Sequence, residues 1–409
     1  MFTHSTVDLE TAIWLKCRLL VEGCSIDQTV RFPEWIHQKK IHLYAHSTES
    51  TSNKIPDDLL IGDGESQVIC RIRYREKASL QITQKENNYF LFDKEDGQLI
   101  PISFPEGPKY EQASVQGHPL SSICSSLGRD LLGITPSNYC FYFKDGKQCR
   151  FCEIFPTYQD KVEYPKALKD VPLICEAIQK AMALDERLSH IAVTSGNIRS
   201  YDYTFEYFIS IGEKLLELGL DNQGGDVLAT LMPPDQPHLI ERLSQTFFNK
   251  IYFPIEVYEY EHFVRVCPGK AEYGYHKIME RLALAKEVFG KGNAYTNLVY
   301  GVQSLNQKLD PFSYCPLKEN EKGLIAVDQF LRMGIIPAFT LYHFSGYNQI
   351  GNIELNSLAT YEFFKKWGEK VYESQIVPKE KNSMLFNSHS LSNTLINDVF
   401  RMAKGKREC

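Results

Sequence analysis

Three cysteines fall within thirteen residues of this 409-residue chain, in the run Cys140-Phe-Tyr-Phe-Lys-Asp-Gly-Lys-Gln-Cys149-Arg-Phe-Cys152. Iron–sulfur clusters are held by cysteine thiolates, and a C-x-x-C pair lets one turn of backbone deliver two sulfurs to one cluster. Three local cysteines are one short of the four that close a cluster. An iron left open is what a cofactor-binding cluster needs. No histidine stands nearby to complete a zinc site, although a distant Cys124 or Cys175 would serve as a fourth zinc ligand. A thioredoxin-like redox pair fits less well, because no helix-opening C-x-x-C follows a thioredoxin-like strand. The iron–sulfur reading requires the three sulfurs to open on one shared space.

The elements around this loop would have to hold it rigidly. Upstream, Val7 to Val21 has helical apolar spacing and 47–53 reads as a polar loop. Val68-Ile-Cys-Arg-Ile-Arg-Tyr, Ser79-Leu-Gln-Ile-Thr and Asn88-Tyr-Phe-Leu-Phe predict short antiparallel strands, with a turn at Lys94-Glu-Asp-Gly97. Pro105 to Pro119 reads as a linker. Beyond it strands alternate with helices. The strands are expected near 133–137, 190–194, 226–232, 251–260, 294–302 and 335–344, and the helices over about 164–188, 205–218, 238–248, 272–289 and 318–333. Such alternation implies right-handed βαβ units and a parallel sheet. Six strands are two fewer than a complete barrel, so an open barrel and a doubly wound sheet both fit. The cysteine loop follows the first strand, at the C-terminal end where α/β folds carry their chemistry. The expected organisation is an N-terminal mixed α+β unit over 1–118, an α/β core over 119–350 and a C-terminal helical extension over 351–409, with one strong helix at Leu358–Ser374.

Composition narrows the class. An apolar fraction of 43% supports a packed core, and 12% aromatic residues argue against disorder. A net charge of -6 does not advertise a nucleic-acid binder, and Lys404-Gly-Lys-Arg407 reads as a solvated basic tail. The N-terminal residues lack the pattern of a secretory signal, and no apolar run is long enough to span a bilayer. A cytoplasmic location is expected, where eleven cysteines face a reducing medium and favour a metal or redox site over a disulfide framework. Motifs of P-loop ATPases, zinc proteases and serine hydrolases are missing from the sequence.

The Cys149-Arg-Phe151-Cys152 segment, after the first of six βα units, resembles the radical S-adenosylmethionine (SAM) superfamily over about residues 120–346. The usual spacing there is C-x3-C-x2-C. This chain has C-x8-C-x2-C, with Asp145-Gly146 supplying a turn that folds the longer first loop outward. The resemblance implies a partial (β/α)6 barrel and a 4Fe–4S cluster on Cys140, Cys149 and Cys152, with Phe151 shielding its face. It implies SAM bound at the open iron and cleaved to a 5′-deoxyadenosyl radical.

Further positions follow from it. Ser195-Gly196-Asn197 occupies the place of a Gly-Gly-Glu-like segment whose backbone carbonyls bind the SAM amino group; an ordinary strand-to-helix turn is the alternative. Glu256, among apolar neighbours, is costly to bury unpaired and is expected to face a polar ligand, by the resemblance the SAM ribose or carboxylate, or else to be a partly exposed strand-end residue. Arg265 would pair with the SAM carboxylate or with Glu261. Cys267-Pro-Gly-Lys270 resembles a helix-entry turn of biotin-synthase-like members, with Cys267 structural. Gly301, with Val299, matches loosely a segment that packs on adenine, from which Asn297 and Ser304 depart. His343 would face adenine or substrate, or be a satisfied core histidine. Tyr258, Tyr300 and Tyr342 read as core fillers.

The expected partners are a small-molecule or peptide substrate and a reducing electron donor of flavodoxin or ferredoxin type, with no nucleic acid and no membrane. The N-terminal unit and C-terminal helices are expected to cap the barrel mouth. The competing class is a zinc-stabilised α/β binding module or hydrolase.

Overall fold

The computed structural model describes residues 7–36, 38–39, 55–161, 166–220, 224–377 and 382–408; the polar loop expected at 47–53 lies outside them. Helix α1 (Leu9–Glu22) starts where Asp8 accepts the Thr11 N–H at 2.7 Å, the N-cap bond that satisfies an otherwise orphan donor. Six strands follow: β1 (Cys24–Ile26), β2 (Asp58–Ile61), β3 (Val68–Arg71), β4 (Leu80–Lys85), β5 (Asn88–Asp93) and β6 (Leu99–Ser103). They form one sheet in the order β1-β4-β5-β6-β2-β3. The β1/β4 pair is parallel, so the unit is mixed rather than antiparallel throughout. The stretch 105–119 is anchored rather than a loose linker: Tyr110 is buried, and Lys109 N–H donates to Asp185 at 3.0 Å.

The second sheet consists of β7 (Cys124–Ser126), β8 (Leu131–Ile134), β9 (His190–Thr194), β10 (Val227–Thr230), β11 (Lys250–Tyr252), β12 (Ala294–Tyr300) and β13 (Ile336–Leu341), in that spatial order. Strands β8 to β13 are parallel, and β7 pairs antiparallel with β8. Their spatial order follows their chain order without the reversal of a doubly wound sheet, so the fold is a partial barrel. Helices lie between the strands: α2 (Ile154–Lys161), α3 (Val171–Leu184), α4 (Tyr201–Glu217), α5 (His238–Ser244), α6 (Tyr260–Val266), α7 (Pro268–Tyr273), α8 (Tyr275–Phe289) and α9 (Pro316–Arg332).

Two elements depart from the sequence reading for local reasons. The strand expected over 251–260 stops at Tyr252, because Pro254 has no N–H to give the ladder, and the chain turns at Glu256 with φ +67°. The single helix expected over 272–289 is preceded by two short ones, broken at Cys267, before Pro268, and at Gly274.

The C-terminal part holds α10 (Ser357–Glu373) and a helix the sequence reading missed, α11 (Ile396–Glu408). Lys404 and Lys406 lie in α11 rather than in a solvated tail; Lys404 stands over the Phe386 ring at 5.4 Å. Buried Lys16 on α1 pairs with buried Asp398 on α11 at 2.6 Å, and Trp14 meets Tyr361 edge-on at 5.5 Å. The N-terminal unit thus packs on the C-terminal helices.

The segment before α11 closes the other end of the barrel. Leu391 N–H donates to Leu127 O at 3.0 Å, Arg129 N–H to His389 O at 2.8 Å, and Thr394 Oγ to Phe339 O at 3.3 Å. It therefore bridges the gap between the β7/β8 side and β13. It also runs beneath the N-terminal ends of the strands, where Asp130 accepts Ser390 Oγ at 2.7 Å and Asp226 accepts Ser383 Oγ and Met384 N–H, each at 2.9 Å. Among the described residues no helix is long and apolar enough to cross a membrane.

Candidate metal and cofactor site

The cysteine loop leaves the C-terminal end of β8 and is pinned on several sides. Gly196 N–H, just after β9, donates to Ser137 O at 3.2 Å, and Phe141 N–H donates to Asn197 O at 2.9 Å. Arg150 N–H reaches Val266 O on α6 at 2.8 Å, and Gln349 N–H returns to Arg150 O at 2.8 Å. Glu153, the residue after Cys152, accepts Ser345 N–H at 3.0 Å, Asn348 N–H at 3.2 Å and Asn348 Nδ2 at 2.9 Å. A buried carboxylate taking three or more donors is a strong local clamp. It ties the C-x-x-C turn to the loop after β13.

All three cysteines line one cavity of about 570 Å³ that runs from this loop to the segment beneath the barrel. Cys140 accepts backbone N–H bonds from Tyr142 and Asn197, and Cys152 accepts one from Ile154. Burial pushes the Cys140 thiol up to about 11 despite these bonds, and raises Cys152 further, helped by the charge of neighbouring Cys149. Cys149 is held below the usual thiol range by a hydrogen bond from Cys267 and by the Lys270 ammonium. Backbone donors aimed at sulfurs suit thiolates, and coordination to metal is what deprotonates such buried thiols. The donor set therefore fits an iron–sulfur cluster.

Of the two cysteines offered as a fourth zinc ligand, Cys124 lines this same cavity and Cys175 does not. Cys175 is buried on α3 and turns its sulfur to Ile211 O at 3.7 Å. Among the described residues no three His, Cys, Asp or Glu side chains gather closely enough to share a single metal ion.

Of the other residues singled out from the sequence, Phe151, Ser195, Gly196, Asn197, Glu256 and His343 line the same cavity. Gly196 lies so close to the loop that an added Cβ would stand 2.5 Å from Tyr139 O and 2.9 Å from Cys140 Cβ. Its carbonyl accepts Ser195 Oγ at 2.8 Å. Glu256 is not an unpaired carboxylate: Lys270 Nζ meets Oε1 at 2.7 Å and Asn297 Nδ2 meets Oε2 at 3.2 Å. Asn297 Nδ2 also reaches Thr340 Oγ at 2.7 Å, which makes a polar ledge across β12 and β13. Burial holds His343 well below its usual range, so its ring is neutral, and Nδ1 lies 3.1 Å from Leu341 O.

Arg265 and Gly301 fall outside the cavity lining. Arg265 sits on α6 near Glu259, and Gly301 N–H is bound to the buried Glu319 carboxylate at 2.6 Å. Tyr300 and Tyr342 are buried with their hydroxyls bonded to Asn320 and Asn348, as core fillers are.

Two residues here went unassigned in the sequence. Glu153 had a signal in its adjacency to Cys152. Lys270 had one in the Pro-Gly-Lys turn, which was read for its backbone rather than for its charge.

No protein-family model matches the chain. It is 24% identical over 208 residues to bacteriochlorophyllide c C-7(1)-hydroxylase of Chlorobaculum limnaeum, a match covering 47% of this chain and 51% of that protein. The matched part thus spans about half the length of that curated relative. Among solved structures it is similar to methylornithine synthase (PylB), with 14% identity, 68% of this chain and 70% of that chain covered, and a TM-score of 0.40. It is similar to a radical SAM methyltransferase from Sphaerobacter thermophilus, at 9% identity, 78% and 82% coverage and a TM-score of 0.40. It is also similar to HydG, a maturase of the FeFe-hydrogenase, at 16% identity, 62% and 52% coverage and a TM-score of 0.38.

Proposed function

We propose that this chain is a radical SAM enzyme whose Cys140, Cys149 and Cys152 hold a 4Fe–4S cluster with one iron open to SAM. The observation that carries the reading is three thiols, Cys149 buried and Cys140 and Cys152 half-buried, two of them with backbone N–H donors on their sulfurs, facing one cavity at the C-terminal end of a partial barrel. When bound, cluster and SAM would supply a one-electron reductive cleavage giving a 5′-deoxyadenosyl radical that takes hydrogen from the substrate.

The chain's own part is to bind, orient and exclude water. The carbonyls of 195–197 offer acceptors to the SAM amino group. Glu256 and Asn297, held together, offer a carboxylate and an amide to ribose hydroxyls. Phe151 shields the cluster, and His343, neutral, presents a ring to adenine or substrate. Cys267 supports Cys149 through its thiol. The remaining volume, walled by Leu228, Met232, Phe339, Met384 and Leu385, suits a largely apolar small molecule or a peptide side chain. A flavodoxin- or ferredoxin-like carrier would deliver the electron, and a cytoplasmic, reducing location agrees with the free thiols of the ten described cysteines.

The test is anaerobic purification. Brown protein with about four irons per chain, which forms methionine and 5′-deoxyadenosine from SAM under dithionite, supports the reading. Colourless protein carrying one zinc would falsify it.

A further inference from the structure

Lys270 lies buried in α7 and lines the cavity beside the three cysteines. Its ammonium donates to Glu256 Oε1 and to Pro254 O, each at 2.7 Å. The helix that carries it is pressed against the cysteine loop. Gly269 N–H donates to Lys147 O at 2.9 Å, and a Cβ at Gly269 would stand 2.7 Å from that oxygen and 2.4 Å from the Tyr142 ring. Only a glycine lets these backbones approach so closely. The approach puts a buried cation within electrostatic reach of the sulfurs. Lys270 and Glu256 both line the cavity that the three cysteines face.

Ionic pairing alone accounts poorly for this arrangement. A buried ion pair gains little over apolar residues of similar volume, because both charges lose their hydration. Beside three thiolates the pair has a second use. The potential of an iron–sulfur cluster depends on nearby charge and on hydrogen bonds to its sulfurs. An electron entering a cluster adds one negative charge. A fixed cation stabilises that reduced state more than the oxidised one, and a fixed anion does the opposite.

Resting on the cluster reading above, we propose that the Lys270–Glu256 pair sets the reduction potential of the cluster. Lys270 is a positioning residue whose ammonium raises the potential, and Glu256 aims that ammonium and moderates it. One electron arrives from an external carrier, no covalent bond of the protein changes, and the lysine keeps its proton throughout.

The experiment is a potentiometric titration of the cluster-loaded full chain without SAM, followed by electron paramagnetic resonance. Lys270→Met should lower the reduced-to-oxidised ratio at a fixed poise about tenfold, which is about 59 mV for one electron. Glu256→Gln should move the ratio the other way, and Lys270→Arg should stay near the parent value. Where Lys270→Met fails to take up iron, the sign of the Glu256→Gln shift decides. A cluster-loaded Glu256→Gln protein that titrates at the parent potential, or below it, overturns the inference while leaving the cluster reading intact. Parent protein that takes up no cluster overturns that reading and this inference with it.

Discussion

Both ends of the barrel satisfy their buried carboxylates from the chain itself, at the mouth Glu153 and Glu256, and they differ in the three thiols that face a cavity at the mouth. Beneath the strands, each carboxylate meets donors from the chain itself: Asp130 takes Ser390, and Asp226 takes Ser383, Met384 N–H and Lys250 at 3.4 Å. His190 is buried there, its Nδ1 accepting the Asp226 N–H at 2.9 Å, and burial lowers its pKa. A ring accepting at Nδ1 is not an imidazolium, so its 3.8 Å approach to Asp130 is not an ion pair. At the mouth, three thiols, one buried and two half-buried, face a cavity, and loss of water around them raises two of them. One end closes on itself; the other is shaped for something brought from outside. That division, stability below and chemistry above, is the one expected of barrels built from parallel strands.

The contrast can be broken from either side. Replacing Cys140, Cys149 and Cys152 together by alanine should abolish iron binding and SAM cleavage while leaving the fold intact, as iron assay and circular dichroism would report. Removing a carboxylate below should do the reverse. Asp226→Ala leaves buried Lys250 without its anion and should cost about 3–5 kcal/mol in urea unfolding, with iron per folded chain unchanged. A loss of iron in step with stability would mean that the two ends are not separable. Gly196→Ala forces a Cβ against Tyr139 O and should cost about 1–3 kcal/mol; iron content should fall more steeply than stability.

The smallest effect expected is a pH dependence. Since the folded pKa of His190 lies below its ordinary value of 6.5, the unfolded chain binds the proton first as pH falls. Its contribution is complete above that value and declines as pH drops through it, by at most about 1.4 kcal/mol per pH unit. His190→Gln should flatten this slope in denaturation measured between neutral and mildly acidic pH.

The cysteine motif and the six alternating strands were legible because each is local: a thiol spacing, and apolar runs punctuated by turns. The sequence left open whether the strands wind one way or two, since that is decided by which edges pair. The Glu256 partner was hidden for a similar reason. Isolated in an apolar run, that carboxylate looked unpaired, yet Lys270, fourteen residues on, reaches it only because Pro254 ends the strand and α7 folds back onto the loop. The closing segment beneath the barrel was least visible. Ser383, Asn387 and Ser390 belong to no motif, and only the folded chain shows Asp130 and Asp226 waiting for them.

The open iron is the core of the account, and spectroscopy addresses it directly. Electron paramagnetic resonance of the reduced, cluster-loaded protein should change when SAM is added, because the ligand would bind the iron that no cysteine holds. A strong cluster signal that is identical with and without SAM would contradict it.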